Sequence, residues 1–137
     1  MISPETIVKE RMYQRDAFSQ WLGIRIEYIA EGHCTVSMTI RKEMLNGFGI
    51  AHGGISYSLA DSALAFASNT YGKHAVSIET SISHTVSVTM GEKLIAEAKP
   101  LHRSRKTSVY EVRINNASGV MIAYFKGTVY HRSGDWT

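Results

Sequence analysis

Cysteine is almost absent from this chain: Cys34 is the single one in 137 residues. An intrachain disulfide is thereby excluded, and a reducing compartment suits the sequence. The amino end has no basic-then-apolar leader, and no apolar run approaches the roughly 20 residues that cross a bilayer. A soluble, cytoplasmic protein without membrane contact is expected. The histidines, at positions 33, 52, 74, 84, 102 and 131, lack the short spacings of a zinc site and Cys34 has no partner, so no metal is expected. Charge of one sign is also scarce. Fifteen basic against 12 acidic residues leave a net charge of +3, too little for a nucleic-acid surface. The local excess sits at Arg103, Arg105 and Lys106, a patch that suits a phosphorylated small ligand as well as it suits a solvated strand connection. Repeats and low-complexity tracts are missing, and the length fits one domain over 1–137 that buries about two-thirds of its unfolded surface.

What is present is a readable order of elements. Ser3-Pro4 opens a helical segment over 1–22, Ser3 as N-cap and Pro4 at the first position, and Gly23 ends it. Alternation from Ile24 to Ile40 around Glu31-Gly32 reads as a hairpin. A loop follows over 41–52, then a long helix. Four strand-like runs come last, over 74–88, 93–102, 107–115 and 120–131, separated by short turns. One long apolar helix beside about six strands predicts an α+β domain in which a curved, mainly antiparallel sheet wraps the central helix, with the N-terminal helix outside.

The stretch Asn46 to Gly72 holds a single charge, Asp61. A helix over 53–71 that is apolar on nearly all sides is a buried helix, and an unpaired buried carboxylate costs several kcal/mol or neutralises itself. Something must repay that cost. The helix begins at Gly53-Gly54 after His52, and two glycines there leave the first amides open to a ligand oxygen at the positive end of the helix dipole, an oxyanion-hole geometry. Glycines that merely permit a tight turn would look the same; Asp61 favours the chemical reading.

The pattern N-x5-HGG-x4-LAD-x-A-x-A-x-A-x-N-x2-G runs through Asn46, His52, Gly53, Gly54, Leu59, Ala60, Asp61, Ala63, Ala65, Ala67, Asn69 and Gly72. With the element order, it resembles the hotdog-fold thioesterases of the phenylacetic-acid-degradation (PaaI-like) type along nearly the whole chain. The resemblance implies hydrolysis of acyl-CoA thioesters, often arylacetyl ones, without metal or organic cofactor, by dimers commonly paired into tetramers. It implies that Asp61 activates water or attacks the carbonyl, that the Gly53 amide polarises the carbonyl oxygen, and that Gly54 supports the turn. Asn46 would position the carboxylate or the water, His52 would fix the loop or lie near the sulfur, and Ser77 would orient the water.

The spacing adds a constraint. Asp61 lies eight residues after Gly53, roughly 12 Å along one helix axis, so one thioester cannot touch both within a chain. A site with Gly53 from one subunit and Asp61 from the other follows, and with it a homodimer. Leu45, Phe48 and Tyr57 are the expected acyl-pocket wall, and Arg103, Arg105 and Lys106 the expected phosphate contacts. Asn46 next to Gly47 is explained equally well by turn chemistry, and His52 by loop fixing. Gly47-Phe48-Gly49 is no dinucleotide fingerprint, and Cys34 has no base to make it a nucleophile. Two rival readings stand on the same fold: a non-catalytic acyl-CoA sensor, which gains nothing from a desolvated carboxylate, and a 3-hydroxyacyl thioester dehydratase, which wants a His paired with an acid across the site.

Overall fold

A computed structural model describes residues 2–137. Six strands form one antiparallel sheet: β1 (Arg25–Ala30), β2 (His33–Thr39), β3 (Lys73–His84), β4 (Lys93–Arg103), β5 (Thr107–Asn116) and β6 (Met121–Asp135), in the order β1-β2-β4-β5-β6-β3. The sheet is curved and open around the long helix α3 (Gly53–Asn69). Strand alternation decides which face meets that helix. Leu94, Ala96 and Ala98 of β4, with Tyr110, Val112 and Ile114 of β5, are fully buried while their neighbours are not. From α3, Leu59, Ala60, Ala63, Leu64, Phe66 and Ala67 enter the same core. The alanines let the helix approach closely. At the closest approach even a methyl is too much, since a Cβ on Gly127 of β6 would lie 2.7 Å from Leu64 Cδ2, so glycine is required there by packing.

Several boundaries differ from the sequence expectation. The N-terminal segment is not one helix: α1 (Pro4–Thr6), capped by Ser3, loosens into wide turns over Ile7–Met12 and a tight turn over Tyr13–Arg15 before α2 (Ala17–Leu22). The break falls at Asp16, whose side chain accepts the Ser19 amide at 2.9 Å and so starts a new helix. Helix α3 stops at Asn69, two residues early, because Thr70 turns its hydroxyl back onto Ala67 O at 2.7 Å and accepts the Gly32 amide; Gly72, at φ +99°, completes the exit. Strand β3 ends at His84 rather than Val88. The chain beyond it turns to support the loop before α3, where Ala51 N donates to Val88 O at 2.7 Å.

The two sheet edges are unlike. On the β1 side the N-terminal segment packs alongside, whereas β3 pairs with β6 alone and leaves Val76 and Ile78 exposed, at 44% and 60%. No helix among the described residues is long and apolar enough to cross a membrane.

Candidate active site

Helix α3 is the frame of the site, and its start is built with care. His52 is the N-cap: its Nδ1 accepts the Gly54 amide at 3.1 Å and its own amide donates to Met44 O at 2.8 Å. The Gly54 amide is therefore occupied, and among the described residues the Gly53 amide alone of this pair has no protein acceptor. Gly53 needs no left-handed backbone; what it needs is space, because a Cβ there would come within 3.1 Å of His84 Nε2. Gly53 borders a cleft of about 230 Å³ lined also by Ile50, Ala51, Ser56, His84, Val86 and Ile122 among others.

Asp61 opens elsewhere. It borders a larger cleft, about 410 Å³, with Met12, Leu64, His74, Val76, Ser77, Val129, Arg132 and Trp136 on its walls. No hydrogen bond or ion pair to another described residue engages its carboxylate, and its carboxyl is held above the ordinary Asp range, first by burial and then by the negative charge of Asp16. Ser77 shares this cleft, on the exposed side of β3 just before a bulge in the β3–β6 pairing. The two clefts have no residue in common. Gly53 and Asp61 thus face different spaces of one chain, as their separation on the helix demands.

The other expected residues fall into place unevenly. Asn46 Oδ1 accepts the amides of Phe48 at 2.9 Å and Ile50 at 3.4 Å, so it braces the loop before the helix and does not border the Asp61 cleft. Leu45 pairs with Ala51 across the base of that loop. Phe48, at its tip, is 90% exposed. The Tyr57 hydroxyl bonds to Thr80 and its ring meets Phe125 edge-on, between α3 and the sheet. The basic patch is split. The Arg103 guanidinium lies 3.3 Å over the Tyr71 ring, in a shallow pocket with Ser68, Lys73 and His131. Arg105 and Lys106 sit on an exposed turn, where their backbone carbonyls bind the His131 ring and amide. Cys34 is buried, its thiol pushed up to about 12 by burial, which makes it inert.

Several bordering residues escaped the sequence reading. Trp136 donates its indole N–H to Asn69 Oδ1 at 2.9 Å, stands edge-on to His74 at 4.4 Å, and walls the Asp61 cleft near the carboxyl end of α3. Arg132 and Trp136 reach the cleft because β6 runs on to Asp135, four residues beyond the expected end. His84, the last residue of β3, borders the same cleft as Gly53. No local pattern announces any of these; they are placed by strand register.

A buried helix inside a wrapping sheet, with a free amide at its start and an unpaired carboxylate at its middle, defines a hotdog thioesterase. The chain belongs to the thioesterase superfamily, whose family model matches residues 48–123. It is similar to the Escherichia coli acyl-coenzyme A thioesterase PaaI, 37% identical over 92% of this chain and 90% of that protein, and to a solved structure of the E. coli PaaI protein from the phenylacetic acid degradation operon, with a TM-score of 0.90 over 93% and 92% of the two chains. A Streptococcus mutans protein solved bound to acetyl-CoA is 26% identical, with a TM-score of 0.80 over 83% and 91%.

Proposed function

We infer that the chain hydrolyses acyl-CoA thioesters at a composite site made by two copies, with Asp61 of one and Gly53 of the other meeting the same thioester. The observation that carries this is the separation of the two clefts: the free amide and the unpaired carboxylate lie on one helix, yet open to different spaces. The edge strand supplies the geometry that unites them. Ser77, beside Asp61, and His84, beside Gly53, are seven residues apart on β3, roughly 23 Å of strand. Antiparallel pairing of two β3 edges about a two-fold axis between Thr80 and Ser81 would lay each Ser77 against the partner's His84, and so bring each Asp61 cleft to the partner's Gly53. The same pairing would cover Val76 and Ile78 and satisfy the open strand edge.

In that site the Gly53 amide binds the thioester oxygen where negative charge develops. Asp61 takes the proton of a water, or attacks directly, and Ser77 holds the water on the Asp61 side. His52 and Asn46 act one step away, by fixing the loop and capping the helix so that the amide points at the carbonyl. Phe48, uncovered in its own chain on the loop that leads to Gly53, is carried to the partner's acyl end. Arg103 is the cation of the patch best placed for a CoA phosphate, because its pocket adjoins the Asp61 cleft through Ser68. Aryl-acyl groups fit the aromatic boundary made by Trp136 and His74. A tetramer of two such dimers follows the habit of the family.

The test is a panel of aliphatic and arylacetyl-CoA substrates followed by release of free thiol. Turnover that prefers arylacetyl over long aliphatic chains supports the full reading. Binding of acyl-CoA without thiol release would instead mark a sensor on the same fold.

A further inference from the structure

The junction of α2 with α3 has a feature that catalysis by Asp61 and Gly53 does not use. Asp16 caps α2 with Oδ1 and with Oδ2 accepts the Ser19 hydroxyl at 2.6 Å. Ser19 is only 1% exposed, and its Oγ lies 2.8 Å from Ser62 Oγ. Ser62 follows Asp61 on α3. Two hydrogen bonds therefore run from a half-buried carboxylate on the N-terminal segment to the chain neighbour of Asp61. Neither Asp16 nor Asp61 makes an ion pair among the described residues; His74 of β3 and Arg132 of β6 border the Asp61 cleft without pairing with it.

We propose that Asp16 is a positioning residue for Asp61: through Ser19 and Ser62 it fixes the turn of α3 that presents Asp61 to the cleft. The proposal rests on Asp61 being the base or nucleophile of the thioesterase reading. A carboxylate at its ordinary pKa is a weak base near neutral pH, and base catalysis gains as the pKa climbs toward the working pH. A second carboxylate close by, with no cation to neutralise it, supplies that push, and the elevation of the Asp61 carboxyl has Asp16 among its causes after burial. The other side-chain caps of this chain are Ser3 on α1 and the His52 ring nitrogen on α3; the carboxylate cap is the one linked through Ser19 to Ser62, the residue after Asp61.

The experiment is the pH dependence of kcat/KM for an acyl-CoA in the wild type, Asp16→Asn, Asp16→Ser and Ser19→Ala. Asn and Ser both keep the cap and drop the charge, so their acid limbs should move to lower pH than that of the wild type, with a few-fold lower plateau. Ser19→Ala keeps the charge and breaks the link, so its limb should stay while its plateau falls. Carbon NMR titration of the Asp61 carboxyl in the same proteins reads the coupling without turnover. If the acid limb and the Asp61 titration are the same in the wild type and both Asp16 variants, Asp16 is a helix cap and nothing more. Should the wild type release no thiol from any acyl-CoA, the thioesterase reading fails by itself, while the NMR titration still decides whether the two carboxylates are coupled.

Discussion

The two ends of the reactive stretch of α3 are built on opposite principles. At Gly53 everything has been removed or tied back: no side chain, a neighbouring amide already held by His52, a loop braced by Asn46, and one backbone donor left free. At Asp61 the proposed reactive group is a side chain that no hydrogen bond among the described residues holds, in a cleft walled by elements from both ends of the sequence. The first end is preorganised by local chain geometry and the second by tertiary packing. A donor that must point at a developing oxyanion gains from rigidity, whereas a base gains from burial and unpaired charge. The difference also sets how each end fails when altered.

The largest effect is expected at Asp61. Asp61→Asn should cut turnover about 10³-fold or more while binding of a non-hydrolysable acyl-CoA analogue persists, since the lost group acts in the transition state. The same variant should be the more stable protein at neutral pH. Folding raises the pKa of Asp61, so the folded state binds the proton more tightly, and stability is full below the ordinary Asp range and declines as pH rises through the raised value. Asparagine removes that loss. Melting temperatures should separate above this window and converge below it, and equal melting at pH 7 would mean the carboxylate is not strained.

Gly53→Pro tests the other end. Proline fits the first position of a helix although its ring presses on His84 Nε2, so in protein whose folding is confirmed by circular dichroism the loss of the one free donor should cost about 10²–10³ in kcat. A variant with normal kcat would place the oxyanion contact elsewhere. Ser77→Ala removes a hydrogen-bonding hydroxyl from the Asp61 side, worth about 1 kcal/mol, so kcat should fall five- to tenfold with KM little changed. Smallest of all should be the turn cations: Arg105→Gln with Lys106→Gln is expected to change KM for acyl-CoA by less than about twofold, because exposed charges are well screened. Arg103→Gln should raise KM more, and less so for an acyl-pantetheine that carries no nucleotide phosphates. Equal responses of both substrates to Arg103→Gln would assign that arginine to folding through Tyr71.

The unlike construction of the two ends also explains what was legible in the sequence. Gly53, His52 and Asn46 lie within a few residues of one another and speak through spacing, and Asp61 stands out as the lone charge of an apolar helix. The order of strands and the buried helix were equally plain, because period-2 and all-round apolar patterns are local. Trp136, Arg132, His74 and His84 were silent. They reach the clefts through the length and register of β3 and β6, and nothing beside them in the chain marks them. Tyr57 was legible as a neighbour of the motif, but its bond to Thr80 on β3 is set by tertiary packing. The break at Asp16 was hidden by an otherwise continuous helical pattern, in which a capping aspartate looks like any surface charge.

The account stands on one chain lending its amide to the other's carboxylate, and the direct measurement is activity in mixed dimers. Asp61→Asn and Gly53→Pro chains, each inactive alone, are unfolded together and refolded at equal concentrations, and the heterodimers are confirmed by mass. Each heterodimer then holds one site with both groups intact and one with neither, so random pairing predicts about one quarter of wild-type activity. Confirmed heterodimers with no more activity than either parent would contradict the shared site and return both groups to a single chain.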